Sequence, residues 1–270
     1  MANTEYKFGI STTFDYSVDI GTQVGLIAES GFDFISIGAN LEHSHFEEPA
    51  KFERILKQVK AKGLFVDSAH APFGEEYDPA QRDNSIREGA VSRLKSFQNL
   101  CAVYGIPIMI LHPHHYFDGG REECLERAIK SLQELNEKKR PEVKIALENL
   151  PGGDSVWMFE KLMDRFSDSD FGFCYDSSHD NMSGDPFGLL ENLAERLTTC
   201  HLSDNHGKDD EHLIPGDGII DWRKMRGIFD RAMKIRNILF EVGTGAKLSE
   251  DPEIFLARTV RAARKIFSSA

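Results

Sequence analysis

The chain of 270 residues is predicted to fold as a single (β/α)8 TIM barrel domain spanning 1–270. Three observations predict it. Eight short apolar, β-rich runs recur along the chain, stretches of helical period separate them, and no linker or low-complexity tract divides the sequence. An open doubly wound sheet is the structural alternative. It needs only about five or six strands and places its ligand at one switch point rather than around a ring.

The runs are KFGIST from Lys7, FDFISIG from Phe32, LFVDSAH from Leu64, IPIMILH from Ile106, VKIALE from Val143, FGFCYD from Phe171, LTTCHLS from Leu197 and NILFEVG from Asn237. They are nearly continuous in apolar character, the pattern of parallel strands covered on both faces. Their starts lie roughly 25–45 residues apart, room for a crossover helix each time. Phe52, Ile55, Leu56 and Val59 form an apolar stripe after the second run. Ile86, Ala90, Val91, Leu94, Phe97, Leu100, Cys101 and Tyr104 form a longer one after the third. Leu125, Ala128, Ile129, Leu132 and Leu135 follow the fourth. Asp154 and Ser155, after Pro151-Gly152-Gly153, read as a helix N-cap region, and Pro252 as the first turn of the last helix.

Composition narrows the class. With 40% hydrophobic and 28% charged residues the chain is globular, and no apolar run approaches the ~20 residues of a membrane span. MANTEYKFGI has no basic start followed by an apolar stretch, so no signal peptide is expected. Cys101, Cys124, Cys174 and Cys200 are scattered without a CxxC pair, and the last two fall inside strand runs. Reduced core cysteines and a cytoplasmic location are the expectation. The formal net charge of −12 repels polyanions and suits recruitment of divalent cations.

The ends of the strands carry the chemistry. In such barrels the active site lies at the C-terminal rim. Strand three ends in His70, four in His112, five in Glu148, and six in Asp176 with His179 three residues on. Strand seven ends in His201, its loop carries Asp210 and His212 before Pro215-Gly216-Asp217-Gly218, and strand eight ends in Glu241. A single strand-end His or Glu is usually a satisfied structural residue. A whole ring of them is costly to bury unless paired or metal-bound. Glu148, Asp176, His201 and Glu241 offer three carboxylates and one imidazole, a suitable cage for a divalent cation. Glu148 and Glu241 lie across the mouth from each other. Two carboxylates flanking a metal-held carbonyl can remove a proton from carbon and return it elsewhere, with the enediolate stabilised by the metal.

These residues resemble the xylose-isomerase-like barrels, which include sugar and sugar-phosphate isomerases and epimerases and the endonuclease IV branch. The most specific pieces are ENLP around Glu148, YDSSH around Asp176 and His179, and CHLSDNHGKDDEHLIPGDGIIDW. The resemblance to the isomerases and epimerases implies one divalent metal, Mn2+ or Zn2+ foremost with Mg2+ or Co2+ as alternatives, on Glu148, Asp176, His201 and Glu241. It also implies Glu148 and Glu241 as the acid/base pair, His179 as a contact to a carbohydrate substrate, and a homo-oligomer. Resemblance to the endonuclease branch implies instead three zinc ions on nine ligands, matched by His70, His112, Glu148, Asp176, His179, His201, Asp210, His212 and Glu241. One departure stands out. Ketose epimerases of the family carry arginine six residues after the strand-seven histidine, and Gly207 stands there. Their substrate-binding scheme therefore does not transfer directly.

Rim charge favours a small polar ligand over nucleic acid. The loop after strand two has Glu42, Glu47 and Glu48 before any Lys or Arg, and the loop after strand three has Glu75, Glu76 and Asp78. No aromatic or apolar wedge is framed by basic residues. The favoured expectation is a metal-dependent sugar or sugar-phosphate isomerase or epimerase. A zinc phosphodiesterase acting on abasic-site DNA and a catalytically silent binding barrel are its rivals. Gly243-Thr244-Gly245 with Lys247 reads as a simple turn rather than a phosphate loop. His43, His45, His114 and His115 read as solvated rim histidines, and Trp157 and Trp222 as packing residues.

Overall fold

The computed structural model describes residues 6–137, 139–184, 186–231, 235–244 and 250–267. Its eight strands are β1 (Lys7–Ser11), β2 (Phe34–Ile37), β3 (Phe65–His70), β4 (Ile108–Leu111), β5 (Lys144–Glu148), β6 (Gly172–Asp176), β7 (Leu197–His201) and β8 (Asn237–Phe240). All neighbouring pairs are parallel, in the order β7-β6-β5-β4-β3-β2-β1-β8. The ring closes just past the end of β7. Leu202 bridges Phe240, with Leu202 N–H donating to the Leu239 carbonyl at 2.9 Å and Glu241 N–H donating to the Leu202 carbonyl at 3.1 Å. The predicted barrel is therefore the observed one, and the open-sheet alternative is set aside.

Two apolar layers hold it. The large one packs helix stripes against the outward strand faces, as Phe52, Ile55, Val59, Leu94, Phe97 and Leu132 do. The small one is a separate cluster of Phe34, Ile110, Ala146, Cys174 and Leu239, one residue from each of five strands, and it plugs the lumen. Gly9 makes room for it, because a Cβ there would overlap the Phe34 ring. Each buried aliphatic or aromatic plug residue contributes on the order of 1.5–3 kcal/mol by leaving water.

Differences from expectation are local. The helix Gly153–Arg165 is capped at Gly152, whose φ of 94° favours glycine, and Asp154 falls inside the first turn instead of capping it. Pro252 does open the last helix. All four cysteines are free and buried. Trp222 is buried, and Trp157 packs half-buried against the outer core. Among the described residues no helix is long and apolar enough to cross a membrane.

Candidate metal centre

The plug explains the mouth. Strand side chains alternate, so the residue two positions beyond each plug residue faces the same lumen, one step nearer the C-terminal rim. Two beyond Ala146 is Glu148, two beyond Cys174 is Asp176, two beyond Ile110 is His112, and two beyond Leu239 is Glu241. The same alternation brings up His70 from β3 and His201 from β7. His70, His112, Glu148 and Glu241 floor a cavity of ≈ 730 Å³ whose walls include Phe14, Tyr16, Asn40, Phe73 and Val242. Asp176 and His201 lie buried beneath them.

The donors form three groups. Glu148, Asp176, His201 and Glu241 offer ligand atoms all within 4.8 Å of one another, and so do His70, His112 and Glu148. His201 Nδ1 lies 3.2 Å from Glu148 Oε2 and 3.0 Å from Glu241 Oε2. His70 Nε2 and His112 Nε2 approach the same Glu148 oxygen at 3.3 and 3.6 Å. In the third group Asp210 Oδ2 sits between His179 Nε2 at 3.2 Å and His212 Nε2 at 3.0 Å. Glu148 joins the first two groups. His179 Nδ1, 3.4 Å from Glu148 Oε1 and 3.7 Å from Asp176 Oδ1, links the third to them.

Backbone carbonyls aim the rings. His70 Nδ1 donates to the Ala71 carbonyl at 2.6 Å, His179 Nδ1 to Asn149 at 2.9 Å, and His212 Nδ1 to Glu241 at 2.9 Å. A carbonyl can only accept, so Nδ1 carries the proton in each ring and Nε2 faces the carboxylates. Asp176 is fixed similarly. Its Oδ1 accepts the His179 N–H at 2.7 Å, which leaves Oδ2 free.

Charge inside the cluster is balanced by protons. Burial pushes Glu148 up, but the imidazoles of His201 and His112 outweigh it and hold the carboxyl well below its usual range. Glu241 is held at about 2 against the effect of burial, chiefly by His201 and then His212. Burial pushes Asp176 up to about 7. Burial alone would neutralise His201, His179 and His212. The facing carboxylates win, raising His201 well above its ordinary value and the other two to about 10. Glu148 Oε2, Asp176 Oδ2 and His201 Nδ1 are buried without a hydrogen-bond partner. Unpartnered atoms on two carboxylates and an imidazole, with the Glu241 carboxylate beside them, suit a divalent cation, since positive charge at their focus satisfies all of them once the imidazole is neutral.

All nine donors named from sequence thus meet at one mouth. No Lys or Arg lines the cavity among the described residues. Gly207 has a φ of 78°, so the position of the epimerase arginine is here a glycine turn. Gly245 and Lys247 lie outside the described residues. His115 is exposed, and His43 and His45 are half-buried. His114 departs from the solvated reading. It is 4% exposed, packs on Phe117 with ring centroids 4.6 Å apart, and has no partner on either ring nitrogen. Three residues around the centre escaped sequence reasoning. Tyr16 and Phe73 are half-exposed aromatics in the cavity wall, Phe73 stacking on His112 at 4.7 Å. Asn149 holds Asp176, and its position within ENLP was the available signal.

Comparison with known proteins places this architecture. The model of the xylose isomerase-like TIM barrel family matches residues 24–257. The chain belongs to that family. Another relative, the uncharacterised protein y4fM of Sinorhizobium fredii (strain NBRC 101917 / NGR234), is 28% identical over 250 residues, covering 77% of this chain and 76% of its own. A probable endonuclease 4 of Mycoplasma genitalium (strain ATCC 33530 / DSM 19775 / NCTC 10195 / G37) is 27% identical over 188 residues, covering 63% of this family member and 62% of that protein. Among solved structures, the IOLI protein with a binding zinc atom superposes with a TM-score of 0.82 at 16% identity, covering 97% of this chain and 98% of the other. D-psicose 3-epimerase in the presence of D-fructose gives 0.78 at 15% identity, covering 97% and 100%. At such identities the two structures establish the shared fold.

Proposed function

We propose that this family member is a divalent-metal-dependent isomerase or epimerase of a small carbohydrate, a sugar, sugar phosphate or related ketose. The observation that carries the reading is the pair Glu148 and Glu241, which approach His201 Nδ1 at 3.2 and 3.0 Å from strands three places apart in the ring. Glu148, Asp176, His201 and Glu241 would hold the cation, which when bound supplies Lewis-acid polarisation of a carbonyl oxygen. Mn2+ and Zn2+ suit this mixed oxygen and nitrogen set best, with Mg2+ and Co2+ as alternatives.

The chain's own residues do the rest. Glu241 lines the cavity with its side chain 12% exposed, open to a substrate carbon while still largely shielded from water. Its low pKa keeps it ionised as a base. It takes the proton beside the carbonyl and, in an isomerisation, returns it to the adjacent carbon. In an epimerisation Glu148, ionised at rest, delivers to the opposite face a proton first drawn from water in the cavity, and Glu241 gives its own back to water. His179 orients a substrate hydroxyl at the cavity wall. Asp15, Asp210, Glu211 and Glu241 in a lining with no described Lys or Arg support a small polyol over a polyanion. The test is incubation of the metal-loaded protein in D2O with a panel of ketoses and sugar phosphates. Solvent deuterium at the carbon beside the carbonyl is expected, and a panel free of exchange overturns the reading.

One observation favours a second reading, a zinc phosphodiesterase of the endonuclease 4 kind. The His179–Asp210–His212 group and the His70–His112–Glu148 group provide donors beyond those one cation needs. Elemental analysis separates the two. About three zinc per chain with cleavage of abasic-site DNA supports hydrolysis, and a single ion with exchange supports isomerisation.

A further inference from the structure

Asn149 follows Glu148 directly and is fully buried, yet it lies beyond the last backbone pair of β5 with β6, Glu148 with Cys174. Its side chain continues the ladder. Oδ1 accepts the Asp176 N–H at 2.7 Å, and Nδ2 donates to the Asp176 carbonyl at 3.0 Å. An amide side chain thus pairs with Asp176 as a neighbouring strand would, just where the chain bends at Pro151. The Asn149 backbone carbonyl also accepts His179 Nδ1–H at 2.9 Å.

We infer that Asn149 is a positioning residue for the candidate metal centre, fixing Asp176 in the four-donor group and His179 in the group around Asp210. The inference rests on the reading that the centre binds a cation. An amide is required because it offers one donor and one acceptor side by side. Aspartate would turn a second acceptor towards the Asp176 carbonyl, and alanine would leave both Asp176 backbone groups unpaired in a buried place. Glu148 already serves the His70–His112 pair and the four-donor group. The dipeptide Glu148–Asn149 therefore touches every donor group at the mouth, the Asn149 amide through the Asp176 backbone and the Asn149 carbonyl through His179.

The experiment uses the full chain, freed of metal and titrated with Co2+ as the probe, read by affinity and by the visible d–d absorption band. Asn149→Ala and Asn149→Asp are expected to bind cobalt roughly 10- to 100-fold more weakly, with a shifted band, as loss of a residue supporting ligands does. Asn237→Ala is the stability control. Asn237 Nδ2 donates to Asp67 Oδ1 at 2.6 Å at the far end of the barrel, so its loss should lower the melting temperature and leave the cobalt spectrum as in wild type. Asn149→Ser keeps a small polar group and serves if the alanine variant does not fold. Wild-type affinity and spectrum in the Asn149 variants would show a merely structural role and overturn the inference alone. Absence of cobalt binding by the wild-type chain would overturn the functional reading and this inference together.

Discussion

His212 reaches across the rim to Glu241. Its Nδ1 donates to the Glu241 carbonyl at 2.9 Å while its Nε2 faces Asp210 Oδ2 at 3.0 Å. The residue holds this pose with a φ of 49°, a left-handed conformation that costs a non-glycine side chain on the order of 1 kcal/mol. Both ring nitrogens must be engaged to keep it there. The loop after β7 is thereby tied to the end of β8 beside a proposed acid/base group.

His212→Ala removes both ties. Turnover is expected to fall at least roughly tenfold, in line with the loss of a group that orients a catalytic residue. Circular dichroism should stay that of the wild type. Steady-state kinetics check it, and an unchanged kcat/KM would detach this loop from the chemistry.

Glu241→Gln keeps size and removes basicity. Solvent deuterium incorporation should drop by roughly 10²- to 10⁴-fold, the usual contribution of a positioned general base. Metal content is to be measured alongside, because Glu241 is also a proposed ligand. Exchange that persists at the wild-type rate would end its assignment as the base.

Cation binding should release protons. His201, raised well above its ordinary value by Glu241 and Glu148, is charged at neutral pH in the metal-free chain. Coordination needs neutral imidazole. Affinity for Zn2+ should therefore climb as pH rises from 6 to 8. Calorimetry in buffers of different ionisation enthalpy counts the protons, and a count of zero contradicts the charge arrangement described above.

His114 sets an acid limit on the metal-free fold. Burial, with smaller contributions from His112 and His115, lowers its pKa from 6.5 to about 4. The folded value lies below the unfolded one, so the unfolded chain binds the extra proton first. Stability is then complete above pH 6.5 and is lost as pH falls towards 4. By pH 5 the loss from this ring amounts to about 2 kcal/mol. Urea unfolding at pH 7 and pH 5 should show a smaller loss in His114→Phe, and equal losses would remove the buried neutral ring from the account.

Much of this was legible in the chain before any coordinates. Nearly continuous apolar strands, with an ionisable residue at the end of each from the third to the eighth, specify a covered parallel barrel, and the two-residue alternation that carries Ala146 to Glu148 carries the donor to the lumen. What stayed hidden depends on contacts between segments distant in sequence. Arg87 looks like a solvated residue beside its helix stripe, yet it is 1% exposed, bonded to Ser131 Oγ at 2.8 Å and close to Glu134 at 3.2 Å on another helix. His114 stands between two other histidines, and only tertiary packing separates its buried ring from exposed His115. Gly152 wins the cap from Asp154 because the chain enters that helix at a positive φ, which no side-chain pattern reports.

Among the described residues the seam between β7 and β8 is stitched by the bridge at Leu202, and His201 and Glu241 stand immediately beside that stitch, one on each edge. An ion gripped by both would act as a rivet across the thinnest joint of the cylinder. Amide exchange should consequently slow most along 197–202 and 237–241 when the protein is loaded, so that the same step which arms the chemistry also locks the wall around it.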